Sequence, residues 1–172
     1  MSMKNLEEIA QRIESRLEEK DQVREIAIKS SRAVNRLSGG IVHLIHKGED
    51  VKPQMHEAID EAHRLRSLLE DYPEIWESGL VEGALQELAE AAILLALVRD
   101  EELPDPDDMG ITGNAYILGM ADAIGELRRF ALEKLREGDV DRATTYLDMM
   151  EEMFLVIMRF DFPDALIPIR RK

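Results

Sequence analysis

Two pairs of acidic residues stand where a helical chain ought to be mostly apolar. Glu87 and Glu90, in Leu85-Gln86-Glu87-Leu88-Ala89-Glu90-Ala91, are three residues apart and so share one face of a helix. Asp122 and Glu126, in Leu118-Gly119-Met120-Ala121-Asp122-Ala123-Ile124-Gly125-Glu126-Leu127, are four apart and share a face likewise. Glu90 leads into the apolar run 91–98, which places it at a buried boundary. Facing pairs from two antiparallel helices would set four carboxylates around one point. Left alone, such a cluster repels itself; a hard cation with oxygen preference, Mg²⁺ or Mn²⁺, resolves the conflict. Water held by that cation becomes a usable nucleophile against a phosphodiester, and charge building on the phosphoryl oxygens is neutralised. Spacing alone leaves a plainer reading open, in which all four are solvated or ion-paired surface residues. Gly119 and Gly125 each cost about 1 kcal/mol against Ala inside a helix, so a close approach of a helix or a substrate backbone is expected there.

A second kind of chemistry sits upstream. Between residues 20 and 47 the bases are Lys20, Arg24, Lys29, Arg32, Arg36 and Lys47, against only Asp21 and Glu25. Lys29, Arg32 and Arg36 fall at i, i+3 and i+7, with Arg24 and His43 roughly continuing the stripe. A row of cations on a rigid helix can follow a phosphate backbone without reading its sequence. The competing reading is a solvated face paired with acids of a neighbouring helix. Net charge is −14, which by itself argues against nucleic acid; the distribution, a basic helix on an acidic body, is what needs explaining. The acids are densest at residues 100–108, Asp-Glu-Glu-Leu-Pro-Asp-Pro-Asp-Asp.

The elements that must carry these residues are helices. Hydrophobic residues make up 45% and charged residues 34%, a globular balance, and aromatics are sparse beside Leu, Ala, Ile, Met, Glu and Arg. Apolar residues recur at helical spacing almost throughout. Leu6, Ile9, Ile13 and Leu17, then Val23, Ile26, Ala33, Leu37, Ile41 and Leu44, predict one long helix or two abutting ones to about residue 47, with Gly39-Gly40 as a weak point. Gly48 ends it and Pro53 opens a second helix, to about residue 70. After Pro73 a third helix spans roughly 74–100, and the Pro-containing acidic stretch 101–113 is a loop. Asn114 is the expected cap of a fourth helix, 115–137; Asp139 caps a fifth, to about 159. The sum is one all-α domain over residues 1–172, a single antiparallel bundle of long helices.

The segment Tyr116-Ile117-Leu118-Gly119-Met120-Ala121-Asp122-Ala123-Ile124-Gly125-Glu126-Leu127-Arg128-Arg129, followed by Gly138-Asp139, resembles the core motif of the translin family. The likeness is greatest to the branch that carries the full acidic set, that of translin-associated factor X. Gln86-Glu87-Leu88-Ala89-Glu90-Ala91 resembles that branch's upstream acidic motif, and Ser31-Arg32 with His43-Leu44-Ile45-His46-Lys47 fits the family's first long helix. Matched motif by motif, the resemblance implies metal binding and catalysis by Glu87, Glu90, Asp122 and Glu126 in a Mg²⁺-dependent endoribonuclease acting on short RNA. It implies RNA, and also single-stranded DNA, as partners, and a homo-oligomer related to the family's hollow, roughly octameric shells. Family members continue with a further helix beyond the region 166–172, where this chain stops; Ile169-Arg170-Arg171-Lys172 reads as the start of that segment.

Two other functions stay open at this stage. One is a non-catalytic RNA- or single-stranded-DNA-binding protein with a residual acidic site. The other is an all-α nucleotide pyrophosphohydrolase, whose paired acids would be expected at i,i+3 in the second pair and which leaves the basic stripe unexplained. His56, Asp60 and His63 share a helical face without a matching partner motif, so they read as a surface cluster and not as ligands. His43 and His46 read as surface or groove-lining groups. Cys is absent, so thiolate and disulfide chemistry are excluded and the cytoplasm is the simplest expected compartment. No apolar run is long enough to span a bilayer, and no Gly-rich phosphate cradle, nucleophile elbow or zinc pattern occurs.

Overall fold

The computed structural model describes residues 5–169, and all regular structure among them is helical. The apolar periodicity of the first segment forms one helix, α1 (Leu6–His46), about 60 Å long and unbroken at Gly39-Gly40. Its buried face begins only at Ala27 and continues through Ser31, Val34, Ser38, Ile41 and Ile45. Leu6, Ile13 and Leu17 are exposed, so the first part of α1 projects beyond the bundle.

Gly48, at φ +70°, turns the chain. Helix α2 (Lys52–Leu68), with Pro53 in its first turn, then runs back along α1. The Ser30 hydroxyl donates to Glu61 at 2.6 Å, and Lys20 meets Glu74 beyond the end of α2, so the two helices are antiparallel. A single predicted helix after Pro73 is in fact two, the short α3 (Pro73–Trp76) and α4 (Gly79–Arg99), because Ser78 adopts an extended backbone between them. Helix α4 is apolar nearly all round and packs against α1 on one flank and α5 on the other, the pattern of a central helix.

Helix α5 (Gly113–Glu137) starts two residues earlier than its sequence signals suggest. The Thr112 hydroxyl, not Asn114, caps it by accepting from the Ala115 amide at 3.0 Å; Asn114 instead donates to the Leu166 carbonyl. Gly138, at φ +82°, ends α5, and Asp139 caps α6 (Val140–Ile157), which packs back along α5.

The α4–α5 pair departs from the expected facing geometry. Thr112, at the start of α5, donates to Glu82, near the start of α4, and Gly119 lies against Ala89. Arg142, one turn beyond the α5–α6 junction, reaches the Val98 carbonyl at the end of α4. The two helices therefore run in the same direction. Residues 100–112 can span up to about 40 Å when extended, enough to return along the roughly 30 Å of α4. That return is pinned where His63 Nε2 donates to the Asp108 carbonyl at 2.9 Å and where Met109 and Ile111 are buried. Gly110 is required there: its φ is +68°, and a Cβ would stand 2.6 Å from the His63 ring. Among the described residues no helix is long and apolar enough to cross a membrane. Residues 170–172, the basic end taken as the start of a further helix, lie outside the described part.

Candidate carboxylate site and basic helix

The carboxylates owe their placement to one glycine. At Gly119 the α4 and α5 backbones touch so closely that a Cβ would come within 2.6 Å of both the Ala89 Cβ and the Gln86 carbonyl oxygen, and 2.8 Å of the Glu90 amide nitrogen. Glu90 thus lies at the contact itself, and Asp122 is one turn along α5 from it. Glu87 and Glu90 are half-buried on an otherwise apolar helix, and Asp122 and Glu126 are half-buried on α5. Gly125, the other glycine flagged in the sequence, has open space around it.

The register of α5 on α4 spreads the four acids along the contact. With Thr112 level with Glu82 and Gly119 with Ala89, Asp122 comes level with the turn after Glu90, at a rise of about 1.5 Å per residue. Glu126 is about 6 Å further on. Along the helix axes Asp122 is therefore nearest Glu90, and Glu126 is furthest from the acids of α4.

Each α5 carboxylate has a protein partner. The Gln86 side-chain amide donates to Asp122 Oδ2 at 2.5 Å. Glu126 Oε2 meets His46 Nε2, from the end of α1, at 2.5 Å, and Arg129 Nη1 reaches both Glu126 oxygens at 2.9 and 3.2 Å. Among the described residues no three His, Asp or Glu groups stand close enough together to hold a metal ion. The chemistry of the donor set nonetheless suits an Mg²⁺-class ion, being oxygen-only, half-buried and rich in negative charge. Gln86 was given no role from the sequence, and His46, read there as a surface or groove-lining group, is a largely buried partner of Glu126. Gln86 carries no signal beyond adjacency to Glu87, and the His46–Glu126 contact joins positions 80 residues apart.

The basic stripe lies where its spacing puts it. Arg24, Lys29, Arg32, Arg36 and His43 are all exposed or partly exposed, on the side of α1 away from the buried face. Arg24 lies 3.6 Å from Glu25 of its own helix, whereas among the described residues no ion pair engages Lys29, Arg32, Arg36 or His43. The acids of neighbouring helices do not neutralise this face. Helix α1 packs along α4, Arg99 at the end of α4 reaches Asp50 just beyond the end of α1, and His46 in the last turn of α1 meets Glu126 of α5.

The cluster of His56, Asp60 and His63 is exposed, and His63 is committed to the return loop. Burial raises the pKa of Glu82 above the usual Glu range, against a lowering by the Thr112 hydrogen bond, and burial likewise raises that of the Tyr116 phenol.

Comparison with known proteins gives this geometry a lineage. Residues 3–161 match the model of the translin family. An uncharacterized protein of Methanocaldococcus jannaschii is 33% identical over 160 residues, covering 91% of this chain and 71% of that one. The structure of AfC3PO in complex with duplex RNA superimposes with a TM-score of 0.83 at 34% identity, covering 92% of this chain and 83% of that one. The crystal structure of AfC3PO alone gives the same TM-score at 35% identity and the same coverage. Apo-NeC3PO, at 20% identity and a TM-score of 0.72, shares the fold over 99% of this chain and 89% of its own. The match to the family model over nearly the whole chain and the identity to the Methanocaldococcus relative agree: this chain belongs to the translin family.

Proposed function

We propose that this protein binds RNA along α1 and cleaves it with the help of Mg²⁺ or Mn²⁺ held by Glu87, Glu90 and Asp122, with Glu126 at the edge of the set. The observation that carries the reading is the Gly119 contact, which fixes two acid-bearing helices at the closest approach their backbones allow. The duplex RNA bound by AfC3PO supports RNA as the ligand. The cations of α1, with no ion pair to a described acid from Lys29 to His43, support a phosphate-following surface on that helix.

When bound, such a cation supplies charge neutralisation at the phosphoryl oxygens and lowers the pKa of attacking water. The residues of this chain would do the rest. Lys29, Arg32, Arg36 and His43 hold the phosphate backbone; single-stranded DNA offers them the same phosphates. Glu87, Glu90 and Asp122 would hold the cation through their carboxylate oxygens. One carboxylate of the set accepts the proton of the attacking water. Exposed apolar groups on the projecting part of α1 (Leu6, Ile13, Leu17) and at the end of α6 (Phe154, Leu155 and the capping Met158) suit burial between copies of the chain, which supports a homo-oligomer.

The test is a cleavage assay on short RNA with Mg²⁺, comparing the parent with Asp122→Asn and following solution mass in parallel. The expected result is loss of cutting by at least about 100-fold with RNA affinity retained. Equal cutting by the two proteins, or cutting that survives EDTA, removes the metal reading. Binding without any cutting by the parent favours a non-catalytic RNA-binding protein.

A further inference from the structure

We infer that His46 is a positioning residue for Glu126, and that through it α1 fixes one wall of the cation site. The inference rests on the metal reading proposed above and adds a residue which that reading does not contain.

Among the described residues the His46 ring has a single polar contact. Its side chain is 10% exposed, its flat face is stacked on Phe130 with centroids 4.3 Å apart and planes 9° from parallel, and Phe130 is in turn packed against Tyr146. Nδ1 is buried without a hydrogen-bond partner. Nε2 meets Glu126 Oε2. In the tautomer with its hydrogen on Nε2 the imidazole is a donor to this carboxylate oxygen, which is the arrangement the contact suits. A buried polar ring atom with no partner costs stability, and a Leu or Met in this slot would avoid that cost. What the imidazole provides in exchange is one directed donor, held at a fixed place by aromatic packing from α5 and α6.

The other donor to Glu126 is different in kind. Arg129 approaches from the same helix, three residues on, and its side chain is 60% exposed. An exposed i,i+3 pair is weak and leaves the guanidinium mobile. Of the two, only His46 can fix which way the Glu126 carboxylate points. Hydrogen bonds from outside a ligand set commonly change metal affinity roughly 10- to 100-fold, because they orient the ligand before the ion arrives.

The experiment measures Mn²⁺ binding to the full chain by the loss of free-ion electron paramagnetic resonance signal, with melting temperature followed alongside. His46→Leu should weaken Mn²⁺ binding at least about 10-fold, and His46→Gln, which restores an amide donor near the position of Nε2, should recover most of it. In a Glu126→Ala background the His46→Leu change should have no further effect on Mn²⁺, since the residue acts through that carboxylate alone. Parent-like Mn²⁺ affinity in His46→Leu overturns the inference, and so does an equal loss with or without Glu126. If His46→Leu does not fold, His46→Gln decides: retained binding supports the role, and binding no better than in Glu126→Ala refutes it. A parent that binds no Mn²⁺ at all removes the metal reading itself, and this inference with it.

Discussion

The acidic contact between α4 and α5 and the basic stripe of α1 are held by the protein in opposite ways. At the contact, the backbone itself sets the geometry: Gly119 admits no side-chain atom, and Asp122 and Glu126 are each engaged by a side chain of another helix. On α1, Lys29, Arg32, Arg36 and His43 face water, positioned only by the helix beneath them. A pocket for an ion tolerates little error in position, whereas a phosphate backbone can be met by long, mobile cations; the two regions differ as their ligands differ. The contrast is broken most severely at Gly119. Replacing it by Ala forces a Cβ into the Gln86 carbonyl and Glu90 amide, neither of which can rotate away, so α4 and α5 must part. A loss of about 2–3 kcal/mol is expected, as for overpacked cores, lowering Tm by roughly 5–10 °C. The same change at Gly125, where nothing stands within 4 Å, should raise stability by up to about 1 kcal/mol. Thermal melts by circular dichroism compare the two, and a Gly119→Ala protein that melts with or above the parent would show that the helices do not touch there.

On the basic side the expected effect is on binding and leaves the fold alone. Arg32→Glu with Arg36→Glu removes two exposed cations that no described acid engages. RNA affinity should fall about 10- to 100-fold at moderate salt, and the slope of log K against log salt should shrink by about 2, one unit for each phosphate no longer neutralised. Tm should stay within about 1 °C of the parent, as for surface changes away from packing. Fluorescence anisotropy with a short labelled RNA at several salt concentrations measures both quantities. An unchanged salt slope would move the RNA to another face of the molecule.

How far this contrast could be read from the sequence follows from its range along the chain. The stripe at residues 29, 32, 36 and 43 is set by helical periodicity alone, so it was legible, as were Gly138 and Asp139 between α5 and α6. The acid pairs were legible as pairs. Their mutual placement was not, because it depends on the direction of α5 relative to α4, which the return of residues 100–112 decides. That loop announces itself by Pro and Asp, but the His63 and Gly110 contact that lays it along α2 joins residues far apart in sequence. Gly119 and Gly125 look alike in the sequence, and only the packing separates them. The α5 cap went to Thr112 instead of Asn114 because Thr112 satisfies two demands, accepting from Ala115 and donating to Glu82.

That last contact provides the finest comparison, between a carboxylate that clamps and carboxylates that would bind an ion. Glu82 is half-buried where α4 meets the start of α5, and burial raises its pKa above the ordinary Glu value, while the hydroxyl of Thr112 opposes the rise. A carboxyl whose pKa is higher in the folded state holds its proton more tightly there. Its favourable contribution is therefore present at acid pH and is lost as pH rises from the usual Glu range through the raised value. Glu82→Gln keeps an oxygen able to accept from Thr112 and removes the charge. Its Tm should equal that of the parent near about pH 4 and exceed it near about pH 7, by roughly 1–2 °C once the partial solvent exposure of the group is allowed for. Melts across that pH range give the difference directly. A Gln variant less stable than the parent at neutral pH would mean that the charged form is favoured at this position, the Thr112 bond outweighing desolvation, and that Glu82 belongs with the site acids and not with the clamps.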